Sequence, residues 1–144
     1  MITFSGDKKY IVGRQIALKN TINTIASDFG YTINRIDYVF CDDEYLLEIN
    51  RKSLNHDYYT DIITFDYNED QSIESEIYIS IDRVKDNAKN YNEAFHVELY
   101  RVILHGALHL VGFKDKTKKE KEKMRSMENK YIEILYQYST WNKA

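Results

Sequence analysis

The run Glu93-Ala-Phe-His-Val-Glu-Leu-Tyr-Arg-Val-Ile-Leu-His-Gly-Ala-Leu-His-Leu-Val111 constrains this chain more than any other segment. It follows Asn92 and stops at Gly112, the residue type that most often closes a helix in the left-handed conformation. Apolar around most of its circumference, it predicts a buried central helix. A chain of 144 residues can wrap such a helix in one hydrophobic core, because single cores grow to roughly 100–150 residues before chains divide. One domain over residues 1–144 is therefore expected.

The remaining elements follow from periodicity. Ile11, Leu18, Ile22, Ile25 and Phe29 form one helical stripe between Tyr10 and Phe29, ended by Gly30. Ile36, Tyr38 and Phe40 alternate with polar or smaller neighbours as a half-buried strand does, and Asp42 is placed to cap a helix carrying Leu46, Leu47 and Ile49. Two strands follow, with Ile63, Phe65 and Tyr67 on one face of the first and Ile77, Ile79 and Ile81 on one face of the second. The stretch from Asn68 to Ser72 turns between them. Thr117 and Glu120 make a capping-box pattern before a last helix whose stripe is Met124, Met127, Tyr131, Ile134 and Tyr138. The order β, α, β, α, β, β, α, α predicts an α+β domain. It should hold a small, mixed, mostly antiparallel sheet of about four strands with helices packed on it.

Composition narrows the setting. No window is apolar enough for a membrane span, and the start MITFSGDKKYIVGRQ lacks the apolar centre of a signal peptide. The single cysteine, Cys41, excludes an internal disulfide and a cysteine-rich zinc site, which suits a reducing compartment. A cytoplasmic protein with no membrane partner is expected. The net charge of −3 conceals an uneven distribution: from Lys114 to Arg125 seven basic residues face three acids, leaving −7 for the rest. Such a cluster permits a nucleic-acid contact, although charge runs at helix starts are often just solvated faces.

The chemistry concentrates at the end of the central helix. His105 and His109 are four residues apart, hence roughly 40° apart around the axis and roughly 6 Å along it, so both rings can reach one metal ion. Beyond the Gly112 turn lies Asp115, whose carboxylate can swing back toward them. Two histidines and a carboxylate leave a coordination position for water, the arrangement of catalytic zinc, and hydrolysis is the natural reaction. The competing reading is two buried histidines satisfying core hydrogen bonds; a pair of polar rings beside an acid makes that less economical. His96 falls about 180° from His105, and His56 belongs to a loop, so neither competes as a ligand. The pair resembles His-Glu-x-x-His of zinc proteases, but Gly106 stands where the general-base glutamate would be, against a protease. It suggests instead close approach of substrate, another backbone or a packed element. A non-haem iron oxygenase uses the same donor set, though usually on sheets.

His105-Gly-Ala-Leu-His-Leu-Val-Gly-Phe-Lys-Asp115 resembles the signature of the YbeY family of rRNA maturation endoribonucleases, His-Gly-x-Leu-His-Leu-x-Gly-Tyr-Asp-His, with unbroken spacing. Leu47-Glu-Ile-Asn50, Thr60-Asp-Ile-Ile-Thr-Phe65, Glu76-Ile-Tyr-Ile-Ser80, and Met124 with Glu128 resemble further family segments. The resemblance implies a single-strand-specific, metal-dependent endoribonuclease acting in maturation of the 16S rRNA 3′ end and in ribosome quality control, by metal-activated water attack on a phosphodiester. It also implies small-subunit rRNA and the ribosome as partners. One divalent ion, zinc by preference, would be held by His105, His109 and Asp115, with Asp61 a candidate for orienting a ligand or the water. Asp61 has a plainer reading as a strand-start hydrogen-bonding residue. Lys114, Lys116 and Lys118 are the candidate RNA contacts. The alternative is a non-catalytic assembly factor stabilised by the metal. Two positions depart from the family: its third histidine is Asp115 here, and an arginine often found before the Thr-Asp is Leu54. Aspartate ligates zinc at about 2.0–2.2 Å but lowers the charge of the site by one unit, which makes bound water a weaker acid.

Overall fold

The computed structural model describes the backbone of residues 1–143 and the side chains of residues 1–138. The chain runs β1 (Ile2–Gly6), a 3-10 turn (Lys8–Ile11), α1 (Gln15–Asp28), β2 (Thr32–Cys41), α2 (Asp43–Leu54), β3 (Ile62–Asp66), β4 (Ser72–Ser80), α3 (Ile81–Asn90), α4 (Phe95–Leu110) and α5 (Lys118–Lys143). The strands make one mixed sheet in the order β1-β2-β4-β3.

The α+β class and the four strands stand as expected, but the pairing does not. β1 with β2 and β2 with β4 are parallel, and only the hairpin β3–β4 is antiparallel. The reason is connectivity. Parallel neighbours need a crossover of a dozen or so residues, and the 14-residue α1 supplies one between β1 and β2. A hairpin can be read from local turn signals, whereas a parallel pairing between distant segments leaves no local trace.

Two boundaries also move. The stripe expected from Tyr10 splits, with Ile11 in the 3-10 turn and the helix starting at Gln15. Ile81, expected on a strand face, instead opens α3, an additional helix. Ser80 caps it by accepting the Arg83 backbone N–H at 3.2 Å, and Ile81, Val84 and Ala88 form its narrow buried face.

One face of the sheet carries Ile36, Tyr38, Phe40, Ile73, Ile77 and Ile79, all buried under α1 and α4 in one cluster that α5 completes by packing on those two helices. Helix α4 lies at its centre. The fully buried Tyr38 donates its hydroxyl to the Ile103 carbonyl at 2.8 Å and ties α4 to β2. At the C-terminal end of the helix the Asn68 amide donates to the Leu110 carbonyl at 2.9 Å, so the β3–β4 hairpin holds the segment that carries the two histidines. Gly112, at φ +105°, ends α4 there. The capping box forms as expected: Thr117 Oγ1 accepts the Glu120 N–H at 3.1 Å while Glu120 Oε1 accepts the Thr117 N–H at 2.9 Å. The backbone N–H groups of Thr117, chiefly, and of Lys116 lower the Glu120 carboxyl below its usual range.

Gly106 is explained by packing. A Cβ there would stand 3.0 Å from Ile77 Cδ1 and 3.2 Å from Ile62 Cδ1, so α4 rests on the sheet at this residue, and the close neighbour is the sheet rather than substrate. Gly106→Val should lower stability by about 1–3 kcal/mol through overpacking. Gly106→Ala should lose less, because gained helix propensity of about 1 kcal/mol offsets the crowding. Urea titration of both variants checks this; a valine variant as stable as the parent would mean that α4 is not seated here.

Candidate active site

The end of α4, the start of β3 and the first turns of α5 enclose a cavity of about 590 Å³, lined by Asp61, Arg101, His105, His109, Asp115 and Glu128 among others. His105 is its organising residue. Its Nδ1 lies 2.7 Å from Glu128 Oε2, and its Nε2 lies 3.2 Å from Asp115 Oδ2. A carboxylate only accepts, so Nδ1 carries a proton and Nε2 is the atom turned toward Asp115. Glu128 is buried and also accepts from Arg101 Nη1 at 3.2 Å; Asn129 accepts from the same guanidinium nitrogen at 2.8 Å. Burial opposes a charged His105 ring, yet the hydrogen bond to Glu128 and the charges of Glu128, Asp115 and Asp61 outweigh it and hold its pKa above the ordinary value.

His109 is exposed and lines the same cavity one turn further along α4. Among the described residues no three His, Cys, Asp or Glu side chains are drawn into a cluster able to hold an ion as they stand. The donor chemistry nevertheless fits a divalent metal. A ligand histidine usually gives its other ring N–H to a carboxylate, as His105 does to Glu128. Two imidazoles and a carboxylate are a zinc donor set.

Asp61 reaches the cavity from the start of β3. Its backbone carbonyl accepts the Ser80 N–H at 2.9 Å and its carboxylate accepts the Asn87 amide at 3.3 Å, so it has the strand-start role while also facing the site. Burial raises its pKa, against the opposing pull of His105 and of the Asp61 and Ile62 backbone N–H groups. The loop leading to it is fixed from below by the buried Asn50, whose side-chain amide donates to the Tyr58 carbonyl at 2.9 Å and whose backbone carbonyl accepts the His56 N–H at 3.0 Å.

The basic residues divide. Lys114, Lys116 and Lys118 are exposed and none lines the cavity; Lys121, Arg125 and Arg101 do. Lys118 joins Lys121 and Arg125 around a shallow hollow beside it, making one stripe on α5 that leads inward. Counting from Asp115 along the chain favours Lys114 and Lys116, but the helix brings round residues one and two turns further on. Leu54 is exposed at the end of α2, away from the cavity lining. His56 stacks on Tyr58 and His96 meets Tyr100 edge-on, both outside the site. Glu98 and Arg101 were not singled out by the sequence. Glu98 Oε1 and Arg101 Nε are buried without a hydrogen bond among the described residues, 4.0 Å apart. Cys41 plays no part: burial, with Asp42, Asp43 and Asp82, pushes its thiol up to about 12.

A four-stranded mixed sheet bearing a histidine helix on one face is a known fold. The solution structure of TM1509 from Thermotoga maritima matches with a TM-score of 0.71 at 26% identity, covering 99% of this chain and 93% of that one. The family model described as Endoribonuclease YbeY matches residues 7–136. An Endoribonuclease YbeY of Cytophaga hutchinsonii is 50% identical over 132 residues, 91% of this chain and 92% of the relative. One of Flavobacterium johnsoniae is 40% identical over 136 residues, 94% and 98% of the two chains. The chain belongs to the endoribonuclease YbeY family, a family of hydrolases of the nuclease type. No helix among the described residues is long and apolar enough to cross a membrane.

Proposed function

We propose that this chain is a single-strand-specific, metal-dependent endoribonuclease that cuts at the His105 cavity. We further propose that it acts in the cytoplasm on the ribosome, in maturation of the 16S rRNA 3′ end and in ribosome quality control. The observation that carries the chemistry is His105 held between the buried Glu128 and Asp115, in a cavity with a basic wall. His105, His109 and Asp115 would hold one divalent ion, zinc by donor type. Such an ion lowers the pKa of water and neutralises charge building on a phosphodiester.

The residues of the chain do the rest. Glu128 fixes the orientation of His105 and keeps a proton on Nδ1, so Nε2, which faces Asp115, is the nitrogen that would take the ion once it has given up any proton. Arg101, Lys121 and Arg125 bind the phosphates and orient the scissile group, the geometric part of phosphoryl chemistry. Asp61, half-buried in the same cavity, orients the water or takes its proton. A site walled by β3 on one side and α5 on the other suits an extended strand over a duplex.

A circular single-stranded RNA tests this reading, since only an internal cut linearises it. The circle should be opened and a duplex of the same sequence spared. A chain that binds the circle and leaves it closed at every divalent ion tested would be an assembly factor instead. The basic wall makes a second expectation. Changing Lys121 and Arg125 together to Gln should weaken RNA binding and reduce the log–log salt slope by about 0.7 for each phosphate released. The same change at Lys114 and Lys116 should leave the slope nearly unaltered. The reverse pattern would move the RNA path to the loop.

A further inference from the structure

The sheet has a second face, and its register shows what lies there. Cross-strand partners share a face, so Asp37, Glu76 and Phe65 form one row and Val39, Tyr78 and Ile63 the next; Arg35 pairs with Glu74 in a third. α2 packs over the β3–β4 part of this face, where Ile63, Leu46 and Leu47 are buried apart from the main core. Beside it the surface is aromatic and open. Tyr45 meets Tyr78 at 6.4 Å between ring centroids, Tyr78 meets Phe65 edge-on at 5.9 Å, and Phe65 stacks on Tyr67 at 6.4 Å. Tyr45 and Tyr67 are 53% and 46% exposed. Monomeric proteins seldom leave contiguous aromatic surface open without a partner.

The charge in these rows is acidic. Their cation, Arg35, is paired with Asp37 and Glu74, and Glu76 accepts the Tyr67 hydroxyl at 3.2 Å. Three carboxylates against one guanidinium repel RNA phosphate, while Lys118, Lys121 and Arg125 make a basic stripe on α5, on the helical side. The two faces therefore select opposite partners.

We propose that the outer face of the sheet, centred on Tyr45, Tyr78, Phe65 and Tyr67 with Glu74 and Glu76, docks an arginine-rich polypeptide segment. Guanidinium groups stack on aromatic rings and fork onto carboxylates, and this surface offers both in alternation. Lysine would satisfy the carboxylates but use the rings less well.

A fluorescent nona-arginine peptide is the probe, its binding to the full chain followed by anisotropy at several salt concentrations. Tyr45→Ser with Tyr67→Ser, both exposed and neutral, should weaken binding about fivefold or more with the salt slope kept. Glu74→Gln with Glu76→Gln should weaken it and flatten the slope. Amide shifts on adding peptide to the unaltered chain should fall on β4, the end of β3 and the start of α2, which keeps the test independent of any variant's folding. Lys121→Gln with Arg125→Gln should not weaken peptide binding. Serine variants that bind peptide as the parent does, or peptide shifts spread over the acidic surface at large, would reduce the contact to bulk charge and overturn the proposal. Loss of single-stranded RNA affinity in the serine variants would overturn it too, by making the face an RNA platform.

Discussion

His105→Ala should reduce RNA cleavage by at least about 10²-fold and remove bound metal. Even an outer partner of a ligand histidine is worth 10–100-fold in metal affinity or activity, and His105 is the residue both Asp115 and Glu128 address. The ring is only partly exposed and its removal opens space in the cavity wall, so the melting temperature should be read beside the rate. His109, being exposed, gives the cleaner variant: His109→Ala should lose metal and activity with little change in stability. Asp115 discriminates further. Asp115→His restores a third imidazole and should keep the metal, while Asp115→Ala should weaken it. An alanine variant at Asp115 that binds as tightly as the parent would place the third ligand elsewhere.

The second large effect belongs to Glu128. Glu128→Ala should cost about 3 kcal/mol of folding stability, the low end for breaking a buried ion pair, because Arg101 retains Asn129. It should also remove the acceptor that orients His105. Glu128→Gln separates the two roles. Its amide keeps the shape and can accept from Nδ1, so stability should fall less, while metal affinity and kcat drop by roughly 10–100-fold. Equal losses in both measures for the two variants would make Glu128 a packing residue only.

How far the chain could be read from its residues depends on the range of each signal. The central helix, its glycine stop, the capping box of Thr117 and Glu120 and the β3–β4 hairpin are local patterns, and each lies where the spacing placed it. Helix α3 was illegible because it starts directly where β4 ends and buries only three side chains, so its Ile81 completes the strand's alternation as well as it starts a helix. The parallel pairings depend on residues more than thirty positions apart, such as Ile2 with Ile36. At the site, the His105, His109 and Asp115 spacing is legible because one helix and one turn bring them to the cavity. Glu128 and Arg101 join it only through the packing of α5 against α4; no spacing marks either, and Glu128 stood out only through its likeness, with Met124, to a family segment. The aromatic back of the sheet was likewise hidden: Ile63, Phe65 and Tyr67 read as one strand face, but alternation reports which residues share a face and not which face is covered.

The measurement nearest the central claim is elemental analysis of the purified chain beside cleavage of single-stranded RNA, with and without chelator. The expected result is close to one equivalent of a divalent metal per chain, zinc by donor preference, with chelation removing metal and cleavage together and readdition restoring both. A chain free of metal that cuts at an undiminished rate would contradict it.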